Sequence, residues 1–320
     1  MKTGSCHPQL RIASCAINLV TDASNIERYW RTTFVQWVKD EGESTAVTAT
    51  LQLQLVKQLP ALPDETPYFI DTRTHILEAY QRPDGGILLH FFDGGLIEIS
   101  ADTRHITGQI TANLFRTGAI DDVTLVSLAP FLRSQGIYLL HAAGVVYHDK
   151  AVLFVGQSHS GKTTTCLNLV LNGWQLLAND VVLIQQQADG IVALPLPDMI
   201  SLRPKTADLL PQLLPLLPTP LPTTFHAGSI VNNNWAKPAP IVAICFPKIT
   251  PQAHSQLTPL PQMIMLAHLL EESLDAWDTR SLATHTQCLS NLTRQAGGYQ
   301  LILGHDVASF PTWFTEQILG

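Results

Sequence analysis

The stretch Gly156-Gln157-Ser158-His159-Ser160-Gly161-Lys162-Thr163 constrains the fold more than any other part of the chain. It satisfies the spacing G-x-x-x-x-G-K-[ST], and it lies between the apolar run 151–155 and a helical pattern that continues to Asn172. Glycines at both ends let successive backbone N–H groups turn inward on an anion, and the helix that follows adds its positive N-terminal end. Lys162 is placed to reach β- and γ-phosphates, and the Thr163 hydroxyl to ligate Mg²⁺. A Gly-rich turn without a ligand is the plainer reading. It leaves unexplained a lysine at a helix N-terminus, where the macrodipole disfavours a cation. A bound anion removes that difficulty. The motif therefore predicts a nucleotide site at Gly156, Gln157, Ser158, His159, Ser160, Gly161, Lys162, Thr163 and Thr164, served by ATP and Mg²⁺.

Around the loop the pattern is strand, loop, helix, strand, which is the context such a motif needs. Gly173 is the expected C-terminal cap of the helix. The next strand, "WQLLA", delivers Asn179 and Asp180 at its end. Asp180 stands eighteen residues after Lys162 and suits a second metal ligand beside Thr163, since Mg²⁺ prefers oxygen donors and keeps several waters. An exposed turn aspartate is the alternative. His159 is large for a tight loop, and solvent is its expected surrounding rather than the phosphates. Arg203 follows a strand-like run and can bring positive charge to a transferring phosphoryl group. Arg280 and Arg294 compete for that role, and the sequence does not choose among the three.

Other features exclude classes. There is no N-K-x-D guanine-reading motif and no L-S-G-G-Q stretch of a transporter ATPase. A net charge of −7 and a pI near 5.9 argue against a nucleic-acid partner. No apolar run reaches the roughly 18 residues that span a bilayer, so no membrane association is expected. Ile12-Ala13-Ser14-Cys15 imitates a lipoprotein cleavage site, but the residues before it include His7, Pro8, Gln9 and Arg11 and form no apolar leader. Cys6, Cys15, Cys166, Cys245 and Cys288 form no C-x-x-C pair and read as reduced thiols, which points to a cytoplasmic protein. His285 and Cys288 come nearest to a zinc spacing, and a coincidence on a helix surface is the better reading.

The first third reads as an α+β unit. "QLRIASCAINLV" is expected as one strand, and Ser24-Asn25-Ile26-Glu27 has the form of a capping box. Ile26, Tyr29, Trp30, Phe34 and Trp37 then follow on one helical stripe. Val47, Ala49, Leu51, Leu53 and Leu55 alternate as in a half-buried strand, and two Asp-Gly-Gly turns predict antiparallel hairpins over 82–100. A helix is expected over 122–135, interrupted or kinked at Pro130. The Pro- and Leu-rich stretch 195–222 cannot sustain a long helix; it is either a surface connection packed by its leucines or a cover that closes over substrate. Beyond it come a buried strand over 241–246 and a helix with Met263, Leu266, Leu270 and Leu274 inward. A second helix ends at Gly297-Gly298, and the strand "YQLILG" and a helix near Trp313 close the chain.

"HAAGVVYHDKAVLFVGQSHSGKTTTCLNLVLNGWQLLANDVVLI" resembles the catalytic core of the HPr kinase/phosphorylase family. It is still more similar to that family's relatives in peptide-modification gene clusters, the lasso-peptide-type precursor serine kinases. The family has a histidine fifteen residues before the first loop glycine, and His141 stands so before Gly156. It also has an "rG(h/w)xLlaDD" segment after the helix, matched here by "NGWQLLAND". "PLPDMISLRP" and "GGYQLILGHD" are similar in style. The resemblance is strong over 137–185, loose to the C-terminus, and one of general layout over the first 120 residues. It implies an α/β fold: a P-loop HPr-kinase-like (PEP carboxykinase-like) kinase core over 121–320, with a smaller N-terminal α+β domain over 1–120 for substrate recognition.

The chain departs from the family at Asn179-Asp180, where the family has two aspartates. The first of these would be the general base, and Asn179 cannot hold a proton; it can only orient the nucleophile. Asp180 keeps the metal role, and His141, with an ordinary pKa near 6.5, becomes the next candidate base. A packed histidine in an apolar strand is the alternative for His141. The catalytic set so expected is His141, Lys162, Asn179, Asp180 and Arg203. The function implied is an ATP- and Mg²⁺-dependent kinase acting on a hydroxyl, a serine of a small protein or precursor peptide, in a chain free to form a homo-oligomer. A catalytically weak nucleotide-binding recognition module and a true HPr kinase are the rival readings.

Overall fold

The computed structural model describes residues 8–34, 37–40, 47–72, 76–196, 199–217, 224–231, 235–273 and 276–320. These divide into two compact units, one of residues 1–136 with 275–282 and one of 137–274 with 283–320. The division falls after Gly136 and not between residues 120 and 121, and the chain returns once to the first unit. No described helix is long and apolar enough to cross a membrane.

The first unit contains β1 (Pro8–Ile12), β2 (Cys15–Val20), α1 (Ser24–Thr33), β3 (Val38–Asp40), β4 (Val47–Val56) and β5 (Phe69–Asp71). It continues through β6 (Leu77–Gln81), β7 (Ile87–Phe91), β8 (Gly95–Ile99), β9 (His105–Thr111), α2 (Asn113–Thr117) and α3 (Ile120–Ser134). The nine strands form one sheet in the order β3-β1-β2-β4-β9-β8-β7-β6-β5. Ala49, Leu51 and Leu53 of β4 face the core, as their alternation requires, whereas Leu55 is exposed. The Asp84-Gly85 and Asp93-Gly94 turns connect the antiparallel strands β6–β8, as expected.

Two expectations fail locally. The run 9–20 is a hairpin and not one strand: Ile12 pairs with Cys15 across Ala13-Ser14, with Ala13 at φ +50°, a tight turn made by two small residues without a glycine to announce it. The capping box does not form either. Ala23 occupies the N-cap without a side-chain bond, because Asn25 accepts from the neighbouring Ile26 N–H instead. The apolar stripe holds, with Ile26, Trp30 and Phe34 buried. Helix α3 is buried along nearly its whole length, which is why its sequence shows little polar face, and Pro130 lies inside it.

The returning segment is fixed by a buried ion pair. Arg133 Nη1 lies 3.2 Å from Asp278 Oδ2, with side chains 1% and 2% exposed. Arg280 Nε and Ser281 Oγ each donate to the same carboxylate at 3.1 Å, and the Arg133 guanidinium stands 5.8 Å from the centre of the Trp277 ring. Tyr68 Oη donates to the Trp277 carbonyl at 2.7 Å.

The second unit begins with β10 (Ile137–Tyr147), β11 (Lys150–Val155), α4 (Lys162–Leu171), β12 (Gln175–Ala178), β13 (Val181–Gln187), β14 (Gly190–Leu194), β15 (Met199–Ser201) and α5 (Pro204–Leu209). After a 3₁₀ turn at Pro211–Leu216 come β16 (Thr224–His226), α6 (Gly228–Val231), β17 (Ala239–Ile249), β18 (Gln256–Pro259) and α7 (Gln262–Glu271). The chain ends with α8 (Leu282–Gln295), β19 (Gly297–Leu303) and α9 (Phe310–Leu319). Pairing runs β11-β10-β13-β14-β17-β19-β18 and closes on itself through β11–β17. Ala151 to Val155 are all buried, so β11 reads as a continuous apolar run.

Helix α7 turns Met265 and Leu269 inward; Met263 is 74% exposed and Leu266 and Leu270 are half-buried. Residues 263–267 of this helix are an unbroken apolar run, so periodicity could not select the face. Gly298 does: a Cβ there would stand 2.4 Å from Met265 Sδ, so the missing side chain seats Met265 on β19. Leu274 lies outside the described residues. In the Pro-rich stretch Leu196, Leu202, Leu210, Leu213 and Leu217 are buried, whereas Leu209, Leu214 and Leu216 are exposed; residues 197–198 and 218–223 lie outside the described set. His285 and Cys288 are not on a helix surface. Both are buried on α8, and His285 stacks on Tyr138 with ring centres 4.6 Å apart.

Removing one partner of a buried pair strands the other charge, which typically costs about 3–5 kcal/mol. Asp278→Ala should therefore lower the unfolding free energy by about that amount, and the double change Arg133→Met with Asp278→Leu should recover much of it. Denaturant titration of the three proteins checks both expectations.

Candidate functional site

The site is organised by the two edges of β10. On one edge β10 and β11 form a hairpin through His148 and Asp149, which take φ +47° and +59°, the positive values a two-residue turn requires. The register pairs Ala142 with Val155, so the next step places His141 opposite Gly156, the first glycine of the loop. The fifteen-residue spacing is thus the arithmetic of a tight hairpin. On the other edge His141 pairs with Val181, and the Ala142 N–H donates to the Asp180 carbonyl at 3.0 Å. One strand therefore brings His141 beside both the loop and the residues after β12.

The loop turns at Gly156 (φ +149°), His159 (φ +71°) and Gly161 (φ +106°), and Gly161 is the N-cap of α4. Gly161 also has no room for a side chain, because a Cβ would meet Leu303 Cδ1 at 2.6 Å. Lys162 is 6% exposed and folds back into the loop. Its Nζ donates to the carbonyl of Gly156 and, at 3.3 Å, to that of Gln157, and lies 3.3 Å from His141 Nε2. Ser160 Oγ is buried and makes no hydrogen bond to the described residues.

His141 is clamped between two carboxylates. Nδ1 lies 2.8 Å from Glu272 Oε2 and Nε2 lies 3.3 Å from Asp180 Oδ1. The Glu272 carbonyl also accepts the His141 backbone N–H at 3.1 Å. The bonds to Asp180 and Glu272 raise His141 to about 9, against burial and the Lys162 charge, which lower it. Burial pulls the Lys162 ammonium below its ordinary value, only partly opposed by Asp180 and Glu272. Burial pushes the Asp180 carboxyl up, and the His141 bond with the charges of His141 and Lys162 more than reverse this, leaving it low. The two carboxylates thus favour the protonated imidazole over the free base that its ordinary value would give.

A cavity of about 580 Å³ opens over the loop, wholly within the second unit. Gln157, Ser158, His159, Ser160, Gly161, Lys162, Thr163, Thr164, Asn179, Asp180 and Arg203 all line it. Gly156 and His141 touch Lys162 without lining the cavity. Asn179 is 6% exposed, whereas the Asp180 side chain is 64% exposed. Arg203 bonds to the His159 ring, so the two exposed groups meet over the loop. Thr206 Oγ1 and Thr164 Oγ1 lie 3.0 Å apart, tying α5 to the first turn of α4. The rival arginines are engaged elsewhere. Arg280 bonds to Asp278 in the first unit, and Arg294 bonds to Asn291 on α8.

Glu272 escaped the sequence reading. Its one local signal is a carboxylate at the C-terminal end of α7, where the helix dipole disfavours negative charge. Of the far wall of the cavity, Leu303 and Asp306 lie in the family-like stretch "GGYQLILGHD" but were given no role, and Ile249 carried no motif.

No protein-family model matches the chain, and no curated protein matches it. Among solved structures, the Hpr(Ser) kinase/phosphatase from Coxiella burnetii is similar over 57% of this chain and 93% of its own, with 11% identity and a TM-score of 0.28. A likeness at that level carries no weight for function, which rests on the site itself.

The clamp has a pH signature. His141 is raised in the folded state above its ordinary value of about 6.5, so its stabilising effect is complete below that value and lost as pH rises through about 9. In metal- and nucleotide-free buffer the unfolding free energy should therefore fall between pH 7 and 9, and His141→Asn should flatten that fall. Identical slopes for the two proteins, in denaturant titrations across this range, would contradict the clamp.

Proposed function

We propose that this chain is an ATP- and Mg²⁺-dependent kinase that phosphorylates a hydroxyl, with a serine of a small protein or peptide as the acceptor. The observation that carries this reading is the convergence of Lys162, His141 and Asp180 at the mouth of the loop, from three different elements. The residues present suit the nucleotide and its metal. Ser160 Oγ is a buried polar atom awaiting a partner, and Thr163 and Asp180 supply oxygen donors on the cavity wall. Thr163 and Asp180 would hold Mg²⁺, which when bound neutralises charge on the phosphate oxygens.

Phosphoryl transfer asks the protein chiefly for positioning and charge stabilisation. Lys162 exchanges the Gly156 and Gln157 carbonyls for the phosphates. Arg203, on the facing wall, adds a second positive charge. Asn179 orients the attacking hydroxyl, whose proton passes to water at the open mouth. The His141 cation donates to Asp180 and keeps that carboxylate ionised and aimed. A loose transition state needs little prior deprotonation, so the missing aspartate removes about 10²–10⁴-fold at most. Substrate recognition falls to the first unit, which contributes no residue to the cavity.

One observation favours a second reading. An amide at position 179, buried where the resemblance implies a base, suits a recognition module that binds nucleotide without transfer. The two readings separate on incubation with Mg-ATP and candidate peptides, followed by mass spectrometry. The kinase transfers phosphate; Lys162→Ala and Asp180→Asn reduce the rate by about 10³-fold or more, His141→Ala slows it, and Asn179→Asp is equal or faster. The module transfers nothing as the native protein and gains activity only with Asn179→Asp. Native transfer indifferent to both His141 and Asp180 would refute the roles of these two residues.

A further inference from the structure

The cavity has two unlike walls on either side of the loop. One, from β15 and α5, carries Arg203 and Lys205. The other, from the ends of β17 and β19 and the start of α9, carries no lysine or arginine; it presents Ile249, Leu303, Val307 and Phe310 with one carboxylate, Asp306, and the imidazole of His305 beside it. A polyanion is drawn to the first wall and repelled by the carboxylate of the second. A neutral, partly apolar group has the opposite preference.

Ile249 is 55% exposed at the last position of β17, and unlike the other strongly exposed aliphatic side chains of the strands it lines the cavity. It is continuous with the phosphate loop: a Cβ on Gly161 would stand 2.6 Å from Leu303 Cδ1 and 3.4 Å from Ile249 Cγ1. Asp306 is held rigidly beside this shelf. Its Oδ2 accepts the Ser255 N–H at 2.9 Å and its Oδ1 the Ser255 hydroxyl at 2.7 Å, while Gly304 N–H donates to Ser255 Oγ at 3.1 Å. The Asp306 backbone N–H adds a third hydrogen bond to this carboxylate, which as an acceptor of about four still has room for a further donor. A vicinal diol next to an apolar ring system matches such a shelf.

We propose that Ile249 and Leu303 form the platform for the nucleoside base of the bound nucleotide, and that Asp306 accepts hydrogen bonds from its ribose hydroxyls. This rests on the nucleotide reading of the loop and adds the part of the ligand that the motif does not address. The phosphates lie along the loop, and the acceptor hydroxyl approaches from the Arg203 wall.

Calorimetry with two probes, ATP and inorganic tripolyphosphate, both with Mg²⁺, separates the shelf from the loop. The native protein should bind ATP at least about tenfold more tightly than tripolyphosphate, since one apolar platform or one charge-assisted hydrogen bond contributes about that much. Ile249→Thr, which keeps a β-branched residue on the strand, should weaken ATP by about tenfold and leave tripolyphosphate unchanged, and Asp306→Asn should weaken ATP by about tenfold while tripolyphosphate, relieved of the carboxylate's repulsion, binds equally or more tightly. Lys162→Ala should weaken both probes. Equal native affinity for the two probes, or variants that lose both in parallel, overturns the shelf while leaving the loop intact. A native protein that binds neither probe overturns the loop reading, and the shelf with it.

Discussion

The register of β10 is the constraint on which the site depends. Neighbouring strands lie about 4.8 Å apart, so a residue on β10 is one strand away from whatever stands opposite it on each edge. His141 has Gly156 opposite on one edge and Val181 on the other. A slip of one residue would turn the imidazole to the opposite face and break both relations. The turn at His148-Asp149 fixes the register from one end. Gly144 fixes it from within: a Cβ there would stand 2.9 Å from Leu177 and 3.2 Å from Leu153 and Val182. Only a glycine lets β12 and β13 approach β10 closely enough to deliver Asn179 and Asp180.

Charge balance explains why the site is stable without a ligand. Lys162 touches His141, and protonation of that imidazole sets two like charges against each other; Asp180 and Glu272 are the two carboxylates that offset them. Burial weakens the Lys162 charge further, and the loop carbonyls hold the ammonium meanwhile. A triphosphate entering this neutral cluster adds negative charge that Lys162 alone cannot match. That is the physical case for a divalent cation at Thr163 and Asp180, and for a second positive group such as Arg203 on the facing wall.

What could be read from the sequence was what local spacing determines. The loop, its flanking strand and helix, and Asp180 lie within a few elements of one another, and their spacing follows from short turns and one helix. Arg203 was identified among three rivals only as a candidate; its place over His159 depends on how α5 folds back. Glu272 is 131 residues from His141, and no local pattern encodes that meeting. The inward face of α7 differs from the expected one because the unbroken apolar run 263–267 has no periodic contrast, and the choice of Met265 rests on the missing side chain of Gly298 on a distant strand. The hairpin at Ala13-Ser14 was missed because its turn lacks the glycine or asparagine that usually marks a positive φ. The return of residues 275–282 to the first unit depends on Arg133 meeting Asp278, a pair separated by 145 residues.

The first turn of α4 also positions the walls of the cavity. Gly161 and Thr164 are three residues apart, so they share one side of the helix. Gly161 admits Leu303 and Ile249 from the ends of β19 and β17, and Thr164 meets Thr206 of α5. Both walls of the cavity are therefore referenced to the same helical turn, whose N-terminus lines the cavity. A shift in that turn moves grip and walls together, which keeps their spacing constant whatever the long loops around them do. The motif residues that announce the grip in the sequence are thus also the ones that set the distance between the walls, although the walls themselves come from residues some forty to one hundred and forty positions further along the chain.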